Sequence, residues 1–416
     1  MKKIIAAAAG LFMANSIAAS VSAADIFFDG DARARFNYHS NYQDAASLKP
    51  QDSEESFWTS RVRLQFKINT KGGAYAVGRF CLADGTWDGA DGSTNGTLSY
   101  GQKSNFDVDI GYVGVPMGPI ALEAGMGYNT MSKFIRGDNV YDFIRAVYTT
   151  DRTTLVAFME KLSEYEWNLT TDPLTGNKVP MLDKDGNPVI DNGFTTDHDI
   201  NQYGVNLIQK LAGDWQMNAV LLYRDDQQAN SNGIAADFLF TGKAGNINLA
   251  AEAAYKNAAY QGTDKAGFGG YVSATMPLGI ASLAMTAGVT NNGFTASGDF
   301  GGDGQKYAQF VMLSKASGDV VGMLATGVLI GSSTGDAYFF NVVSSVKVSD
   351  KLTLTAASTY MNADYGNANL NIVEVGGIAS YQVTSGAAIT ALLGYLNIEG
   401  ADKKPLGFGL ALDLTF

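Results

Sequence analysis

The side chains that most often carry enzyme or metal chemistry are scarce in this sequence. The chain has 416 residues but a single cysteine, Cys81, and only two histidines, His39 and His198. Hydrolytic catalysis needs a histidine placed with a carboxylate and a nucleophile, and zinc sites need a set of nitrogen and sulfur ligands. Cys81, His39 and His198 cannot supply a usual zinc set, and each histidine is placed as in an ordinary loop. The sequence therefore predicts no enzyme, no metal site and no cofactor, and the lone cysteine excludes an internal disulfide.

Five arginines in the first part of the chain could instead form a charged surface. Arg33 and Arg35 are two residues apart, as are Arg61 and Arg63, and Arg79 lies two residues before the cysteine. Residues two apart share one face of a β-strand, so three neighbouring strands would each present arginine on one face. Guanidinium groups are permanently charged and hard to desolvate. The spacing predicts a positive wall along a water-filled lumen, and the alternative is the solvated face of a soluble sheet with carboxylates nearby.

Strands are the elements that must position these arginines, because apolar residues recur at every second position. The end of the chain shows this most clearly: from Leu406 to Phe416 the even positions hold Leu or Phe, and the odd positions hold Gly, Ala, Asp or Thr. The same period of two recurs in residues 61–68, 215–224, 246–256 and 352–360. Each of these segments would have an apolar face and a small or polar face.

Two kinds of connection alternate between these segments. Long connections are rich in Asp, Asn, Gly and Ser, whereas short connections hold residues that favour hairpin turns. This alternation predicts an antiparallel up-and-down sheet of about 20 strands, held at roughly 16–20 because a turn inside a long loop would inflate the count. The nine short connections are residues 71–73, 116–118, 150–152, 212–214, 244–246, 277–279, 317–319, 349–351 and 384–386.

The polar faces weigh against a soluble protein. Beyond residue 24 no apolar run reaches the length of a spanning helix, the longest being 320–331, which excludes a helical membrane protein. The second face of many strands carries Arg, Gln, Asn, Lys or Glu and could not form a packed core. In a sandwich that face would point to water, and this alternative stays open for any single strand. We predict an all-β fold, a transmembrane antiparallel up-and-down β-barrel with an even number of strands, short periplasmic turns, long extracellular loops and an aqueous lumen.

The first residues are typical of a cleaved export signal. Met1-Lys2-Lys3 is basic, residues 4–19 form an apolar stretch too short to span a bilayer, and Val21-Ser22-Ala23 offers small residues for cleavage. We assign residues 1–23 to a signal peptide and 24–416 to a single β-barrel domain. The formal net charge of -12 and the pI near 4.6 argue against nucleic acid as a partner.

Together these features resemble the general porins of the Gram-negative outer membrane. The final strand ending in Phe416 looks like the C-terminal signal read by the outer-membrane barrel-assembly machinery, and residues 24–30 are similar to the opening strand of porins. The resemblance implies a homotrimer in outer membrane lipid and lipopolysaccharide. It also implies a water-filled channel for passive diffusion of ions and small hydrophilic solutes. The alternative is a surface-exposed adhesin or a structural barrel without an open channel.

In that family the loop after the fifth strand folds inward and places acidic groups opposite the arginines. Here this constriction loop would span about residues 127–142, and residues 132–138 replace the family's acidic Pro-Glu-Phe-Gly-Gly-type stretch with a segment that contains Lys133 and Arg136. These two cations should weaken the negative side of the constriction. The resemblance leaves Glu123, Asp138 and Asp142 as the pore-lining acids, and it leaves open whether the pore prefers anions or cations.

The longest connection, residues 163–199, is predicted to be an external acidic loop. It carries eight acidic residues against two lysines. Its run Asp183-Lys184-Asp185-Gly186-Asn187 shares some features with a calcium loop, but the glycine is misplaced for an EF-hand and no glutamate closes the run. We interpret the segment as a solvated loop. A weaker hypothesis is that divalent cations bridge it to lipopolysaccharide phosphates.

Overall fold

The computed structural model describes most of the chain beyond the predicted signal peptide. The predicted signal peptide 1–23, most of the predicted acidic loop 163–199, and the residues His198 and Asp138 lie outside this part. The described residues are 25–41, 54–86, 107–128, 132, 134–135, 140–163, 169–171, 178–180, 199–227, 231–294, 296, 310–313, 335–365 and 368–416.

Nearly all of the described residues belong to strands. One short helix, α1 (Ala258–Gln261), and a small hairpin of β8 (Leu169–Thr171) and β9 (Lys178–Pro180) stand apart from the main sheet. The 18 strands of the main sheet are β1 (Asp25–Ser40), β2 (Glu54–Asn69), β3 (Tyr75–Thr86), β4 (Asp107–Met117), β5 (Ile120–Tyr128), β6 (Val140–Thr149), β7 (Thr153–Ser163), β10 (Ile200–Lys210), β11 (Gln216–Asp226), β12 (Ser231–Ala244), β13 (Ile247–Lys256), β14 (Gly267–Leu278), β15 (Ala281–Thr290), β16 (Ala337–Lys347), β17 (Leu352–Tyr365), β18 (Ala368–Thr384), β19 (Ala387–Ile398) and β20 (Leu406–Thr415).

The sheet is a closed antiparallel up-and-down barrel. Each strand pairs with the strand before it and the strand after it in the sheet, with β7 pairing β10, and the ring closes where β1 pairs with β20 as well as β2. Closure removes the two unpaired edges that an open sheet would leave. The predicted fold class is confirmed, and the strand number is even and lies within the predicted range.

Tight turns occupy one end of the barrel, and the long connections lie at the other end together with the short β11–β12 and β17–β18 connections. Eight of the nine predicted hairpin turns join successive strands, and the ninth, 317–319, falls outside the described residues. Gly245 and Gly279 adopt the left-handed conformation in two of these turns, with φ of 64° and 67°. We call the end with these turns the turn end and the opposite end the loop end.

The two faces of the barrel differ in chemistry as the alternation predicted. Along β20 the even-numbered Leu and Phe side chains point outward and are exposed, whereas Gly407, Gly409 and Ala411 point inward and are buried. Large apolar side chains are exposed on the outer face of strands all round the ring, and they include Ile144, Val205, Leu221, Phe238, Val272, Met285, Phe340, Val375, Leu393 and Leu412. No helix among the described residues is long and apolar enough to span a membrane.

The buried apolar core lies inside the barrel. Phe134, Ile135, Phe294 and residues 310–313 come from connections at the loop end, are at most 2% exposed, and pack with inward side chains of the wall. Here the structure differs from the sequence expectation of polar inner faces, because the inner face of β16–β19 is largely apolar near the loop end. The strands in that part of the wall are apolar on both faces, as in Leu392-Leu393 and Tyr395-Leu396.

Barrel closure depends on a close contact between Gly30 and the last residue of the chain. Gly30 N donates to Phe416 O at 2.8 Å and Phe416 N donates to Gly30 O at 3.1 Å, which extends the β1–β20 ladder by one pair. A Cβ atom on Gly30 would lie 2.7 Å from the Phe416 ring and 2.7 Å from the Arg63 carbonyl oxygen. Gly30 in the opening strand and Phe416 in the last strand were both named in the sequence analysis, and in the structure these two residues are in direct contact.

Replacing Gly30 by valine is expected to weaken closure, because the Arg63 carbonyl belongs to the neighbouring main chain and cannot move aside easily. The expected loss is about 1–3 kcal/mol of unfolding free energy. Urea titration and heat-modifiable electrophoretic mobility of the purified protein measure it. Ala32→Val is the matched control on the outer face of the same strand. Equal behaviour of the two variants would show that closure does not depend on the Gly30 contact.

Candidate functional site: the charged lumen

The five predicted arginines all lie on the inner face of β1–β3, where register sets their neighbours. Arg33 is directly opposite Arg61 on one side and Asp413 on the other, and Arg61 is opposite Asp84. Two cations therefore lie between two carboxylates in a single row across four strands. Side chains directly opposite in an antiparallel pair are close enough to interact.

A single carboxylate holds the arginine pair of β2. Arg61 Nη2 lies 3.2 Å from Asp31 Oδ1, and Arg63 Nη2 lies 2.8 Å from Asp31 Oδ2. Arg35 Nη2 lies 3.6 Å from Asp413 Oδ1. These acids come from the strands themselves, and the sequence analysis did not single them out. The sequence did contain a signal for Asp31: it lies two residues before Arg33, and residues two apart share one face of a strand.

Arg79 is held by both oxygens of one carboxylate. Its Nε lies 2.8 Å from Asp109 Oδ1 and its Nη2 lies 2.7 Å from Asp109 Oδ2, a two-pronged contact in which both side chains are 11% exposed. Tyr128 OH accepts a further bond from Nη2 at 3.0 Å. An irregular register between β3 and β4 beside Arg79 accompanies this pairing. Arg79 is therefore fixed along the wall rather than extended into the lumen.

Glu123 lies on the same wall as the arginines and not across from them. It accepts hydrogen bonds from Tyr75 OH and from Arg145 Nε. The Arg145 guanidinium lies 4.4 Å from the centre of the Phe143 ring. Glu123 therefore balances Arg145, a cation that the sequence analysis did not name, and the expectation that it supplies the opposing negative side is corrected.

Asp142 does not line the lumen. It belongs to β6 and not to a loop, and it is exposed on the same side of the strand as Ile144, which is 44% exposed. Its neighbour Phe143 points inward and is 4% exposed. Asp142 was predicted to end the inward loop, but β6 already begins at Val140, and the alternation of strand residues turns the Asp142 side chain outward. Asp138 lies outside the described residues.

The connection after β5 reaches the far wall of the lumen. Ser132 Oγ lies 3.3 Å from Glu252 Oε1 on β13, and the Phe134 ring lies 5.9 Å from the Tyr271 ring on β14 and 5.4 Å from the Phe294 ring. In the ring of 18 strands, β13 stands nine places from β2 and so lies across the lumen from it. The described residues of this connection are thus inside the barrel.

Two carboxylates face the arginine wall from across the lumen. Asp237 on β12 and Glu252 on β13 point inward, and each is 4% exposed. These strands stand opposite β1 and β2 in the ring. Among the described residues, the acids across from the arginine wall belong to the barrel wall, and the predicted loop acid Asp138 lies outside the described residues. Within the described part of the chain, no cluster of three or more His, Cys, Asp or Glu side chains is placed to hold a metal ion.

A third connection is bound to the inner wall through its main chain. Arg224 Nη2 on β11 donates to the carbonyl oxygens of Ala259 at 2.9 Å and Tyr260 at 2.7 Å, both in α1. Tyr260 OH donates to Gln202 Oε1 at 2.8 Å, and Gln202 Nε2 donates to Glu160 Oε2 at 3.1 Å. The short helix is thereby fixed against the inner faces of β7, β10 and β11.

Comparisons with known proteins find solved structures with a similar fold. No family model matches the sequence, and no curated protein matches it. Among solved structures, a BenF-like porin from Pseudomonas fluorescens Pf-5 is 11% identical with a TM-score of 0.58, covering 94% of this chain and 98% of that chain. The outer membrane protein opdK from Pseudomonas aeruginosa is 12% identical with a TM-score of 0.55, covering 94% and 99%. OccK2 (OpdF) of Pseudomonas aeruginosa, solved with glucuronate, is 10% identical with a TM-score of 0.56, covering 94% and 98%. At these identities the likeness shows a shared barrel fold.

The charge arrangement can act on solutes without any chemical step. Arginines on β1–β3 line one wall, whereas Asp237 and Glu252 on the far wall are each 4% exposed, lie near the inward cation Lys256, and are partly covered by Ser132. Charged side chains on the β1–β3 wall order water and ions beside them. The arrangement suits passage or binding of small charged or polar molecules.

Gly269→Val is expected to release the β5–β6 connection from the far wall. A Cβ atom at Gly269 would lie 2.7 Å from the Phe294 ring and 3.0 Å from the Phe134 ring, so valine displaces both aromatic side chains. Limited trypsin digestion followed by mass spectrometry should show faster cleavage after Lys133 or Arg136, which flank Phe134 and Ile135 in the sequence. Ala274→Val on the outer face of β14 is the control. Unchanged cleavage in the Gly269 variant would contradict the docking contact.

Proposed function

We propose that the chain is a porin of the Gram-negative outer membrane that lets ions and small hydrophilic solutes diffuse passively through its lumen. The observation that carries the proposal is the inverted, closed barrel, in which apolar side chains lie outside and most of the charged side chains in the middle of the described strands point inward. A water-soluble protein rarely exposes so continuous an apolar surface. A closed barrel satisfies every strand hydrogen bond within the sheet, which hydrocarbon requires.

The proposal includes a location and an orientation. The short turns would face the periplasm and the long connections would face outward, in contact with lipopolysaccharide. Residues 1–23 would direct export and be removed, and Phe416 would be read by the barrel-assembly machinery. We also propose the homotrimer that the sequence resemblance implied. Tyr338, Tyr360 and Tyr395 support the placement in a membrane, because they are exposed on the outer face near the loop end, where one of the two aromatic belts of a membrane barrel would lie.

The proposed channel is of the general diffusion type, as the sequence resemblance implied. The arginine wall of β1–β3 would set most of its ion preference, because Asp237 and Glu252 on the far wall are each 4% exposed. Because Asp31 and Asp413 already pair with arginines, the preference depends on small differences between neighbouring charges.

A second candidate function is a structural or adhesive barrel without an open channel. The observation that favours it is the presence of residues 132, 134–135 and 310–313 inside the barrel, where they occupy part of the lumen. The two functions differ in one measurable property, which is electrical conduction. A protein that inserts into a bilayer without conducting would be assigned to the second.

Purified protein added to a planar lipid bilayer is expected to give stepwise conductance increments. Replacing both Arg61 and Arg63 by glutamine removes two cations from the positive wall and should raise the cation-to-anion permeability ratio by roughly two- to fivefold. The reversal potential in a salt gradient measures this ratio. Insertion without current steps would remove the channel proposal, and an unchanged ratio would remove the role of these arginines.

Asp31→Asn is expected to shift the permeability ratio in the opposite direction. Asp31 contacts both Arg61 and Arg63, so its neutralisation leaves their charges less screened and favours anions. The reversal potential of the variant measures the shift. Asp350→Asn makes the same charge change in an exposed turn, where the side chain is 99% exposed. Equal shifts in the two variants would show that net charge, and not the wall, sets selectivity.

A further inference from the structure

The inner wall of β17–β19 has a buried, apolar region near the loop end. Met361, Ile372, Leu392, Leu396 and Ile398 point inward and are at most 2% exposed. Closer to the turn end the same wall is polar, where Ser345 Oγ lies 2.8 Å from Thr355 Oγ1 and Ser380 Oγ lies 3.2 Å from Thr390 Oγ1. The apolar region is therefore confined to one side and one end of the lumen.

Residues 310–313 cover this apolar region. Phe310, Val311, Met312 and Leu313 are all at most 1% exposed, and the Phe310 ring lies 5.6 Å from the Phe339 ring of β16. The segment belongs to the β15–β16 connection and contacts strands on the inner side of the wall.

The wall is shaped to receive the segment. Gly376 on β18 and Gly394 on β19 are directly paired, so two neighbouring inward positions carry no side chain. A Cβ atom on Gly376 would lie 2.3 Å from Val311 Cγ2, and one on Gly394 would lie 2.4 Å from Met312 Cγ. Val311 and Met312 fill the space that the two glycines leave.

Glu374 fixes the main chain of the segment. Its Oε1 accepts from Val311 N at 3.0 Å, and its Oε2 accepts from Met312 N at 2.7 Å and Leu313 N at 2.8 Å. Thr359 Oγ1 lies 3.4 Å from Oε1. The side chain is 0% exposed, so a carboxylate has been moved from water into an apolar wall. Such a burial is tolerated only when hydrogen bonds satisfy its oxygens, and three amides and a hydroxyl do so here.

From these contacts we infer that Glu374 is a positioning residue that holds residues 310–313 against the apolar wall and thereby confines water and solutes to the charged side of the lumen. The inference rests on the proposed channel function and adds the path of conduction. At the loop end that path runs beside β1–β6 and β20, where the paired charges lie. Removing the carboxylate leaves three amides of the segment without their acceptor, which favours release of the segment from the wall.

Conductance tests the effect on the pore. Glu374→Ala is expected to raise the single-channel conductance by roughly half or more, because the released segment widens the water-filled cross-section. Glu399→Ala removes the same side chain from the exposed loop end beside β19 and should leave conductance at the starting value. Heat-modifiable mobility verifies that each variant is folded. Unchanged conductance in a folded Glu374→Ala protein would overturn the inference.

Thiol labelling tests water access independently of conduction. In a Cys81→Ser background, Gln65→Cys on the charged wall should react with a membrane-impermeant charged methanethiosulfonate reagent, whereas Leu396→Cys should not. Adding Glu374→Ala should make Leu396→Cys reactive, as read from the mass gain of the whole protein. Labelling of Leu396→Cys with Glu374 intact would overturn the inference. Because mass gain needs no current, this result separates a failure of the inference from a failure of the channel proposal.

Discussion

The hydrogen-bonded closure of the sheet is the constraint on which the other features depend. Strand β1 pairs with β2 on one side and β20 on the other, so the ring has no free edge. Once the main-chain hydrogen bonds of the strands are made within the ring, the face on which a side chain lies depends only on its odd or even position along the strand. Apolar residues can then meet hydrocarbon, and charged residues can meet an enclosed space, without any conflict in the backbone.

Inside the barrel a second constraint applies, because a loop that enters the lumen brings main-chain donors and acceptors that no strand satisfies. The wall supplies their partners. Glu374 accepts from three amides of residues 310–313, and Arg224 donates to two carbonyls of α1. Charged side chains thus have two roles around the ring. On β1–β6 they pair with one another along the wall, and on β11 and β18 they hold segments of the main chain.

The alternation of apolar and polar residues was sufficient to predict the closed barrel, the turns and the inward side of Arg33, Arg35, Arg61, Arg63 and Arg79. Partners across strands were not predictable in the same way, because the pairing of Arg61 and Arg63 with Asp31 depends on register. Asp142 was expected in the inward loop, but its strand begins two residues earlier, and the strand alternation places its side chain on the outer face.

The role of Glu374 could not be predicted from the sequence either, because the amides that donate to its carboxylate lie more than 60 residues away in the chain. One available signal was missed. Apolar residues at both parities of β19, as in Leu392-Leu393, indicate burial on both faces and therefore something packed inside the barrel.

The separation of turns and long connections gives the barrel a direction along its axis. The inward residues 132, 134–135 and 310–313 and helix α1 all lie in connections at the loop end, whereas the turn end carries small hydroxyl side chains such as Ser345 and Thr355 on its inner face. A pore that is narrowed at only one end passes ions unequally in its two directions. For a conducting protein, the consequence is rectification: current at one polarity exceeds current at the other, and the sign reports which mouth faces the electrode.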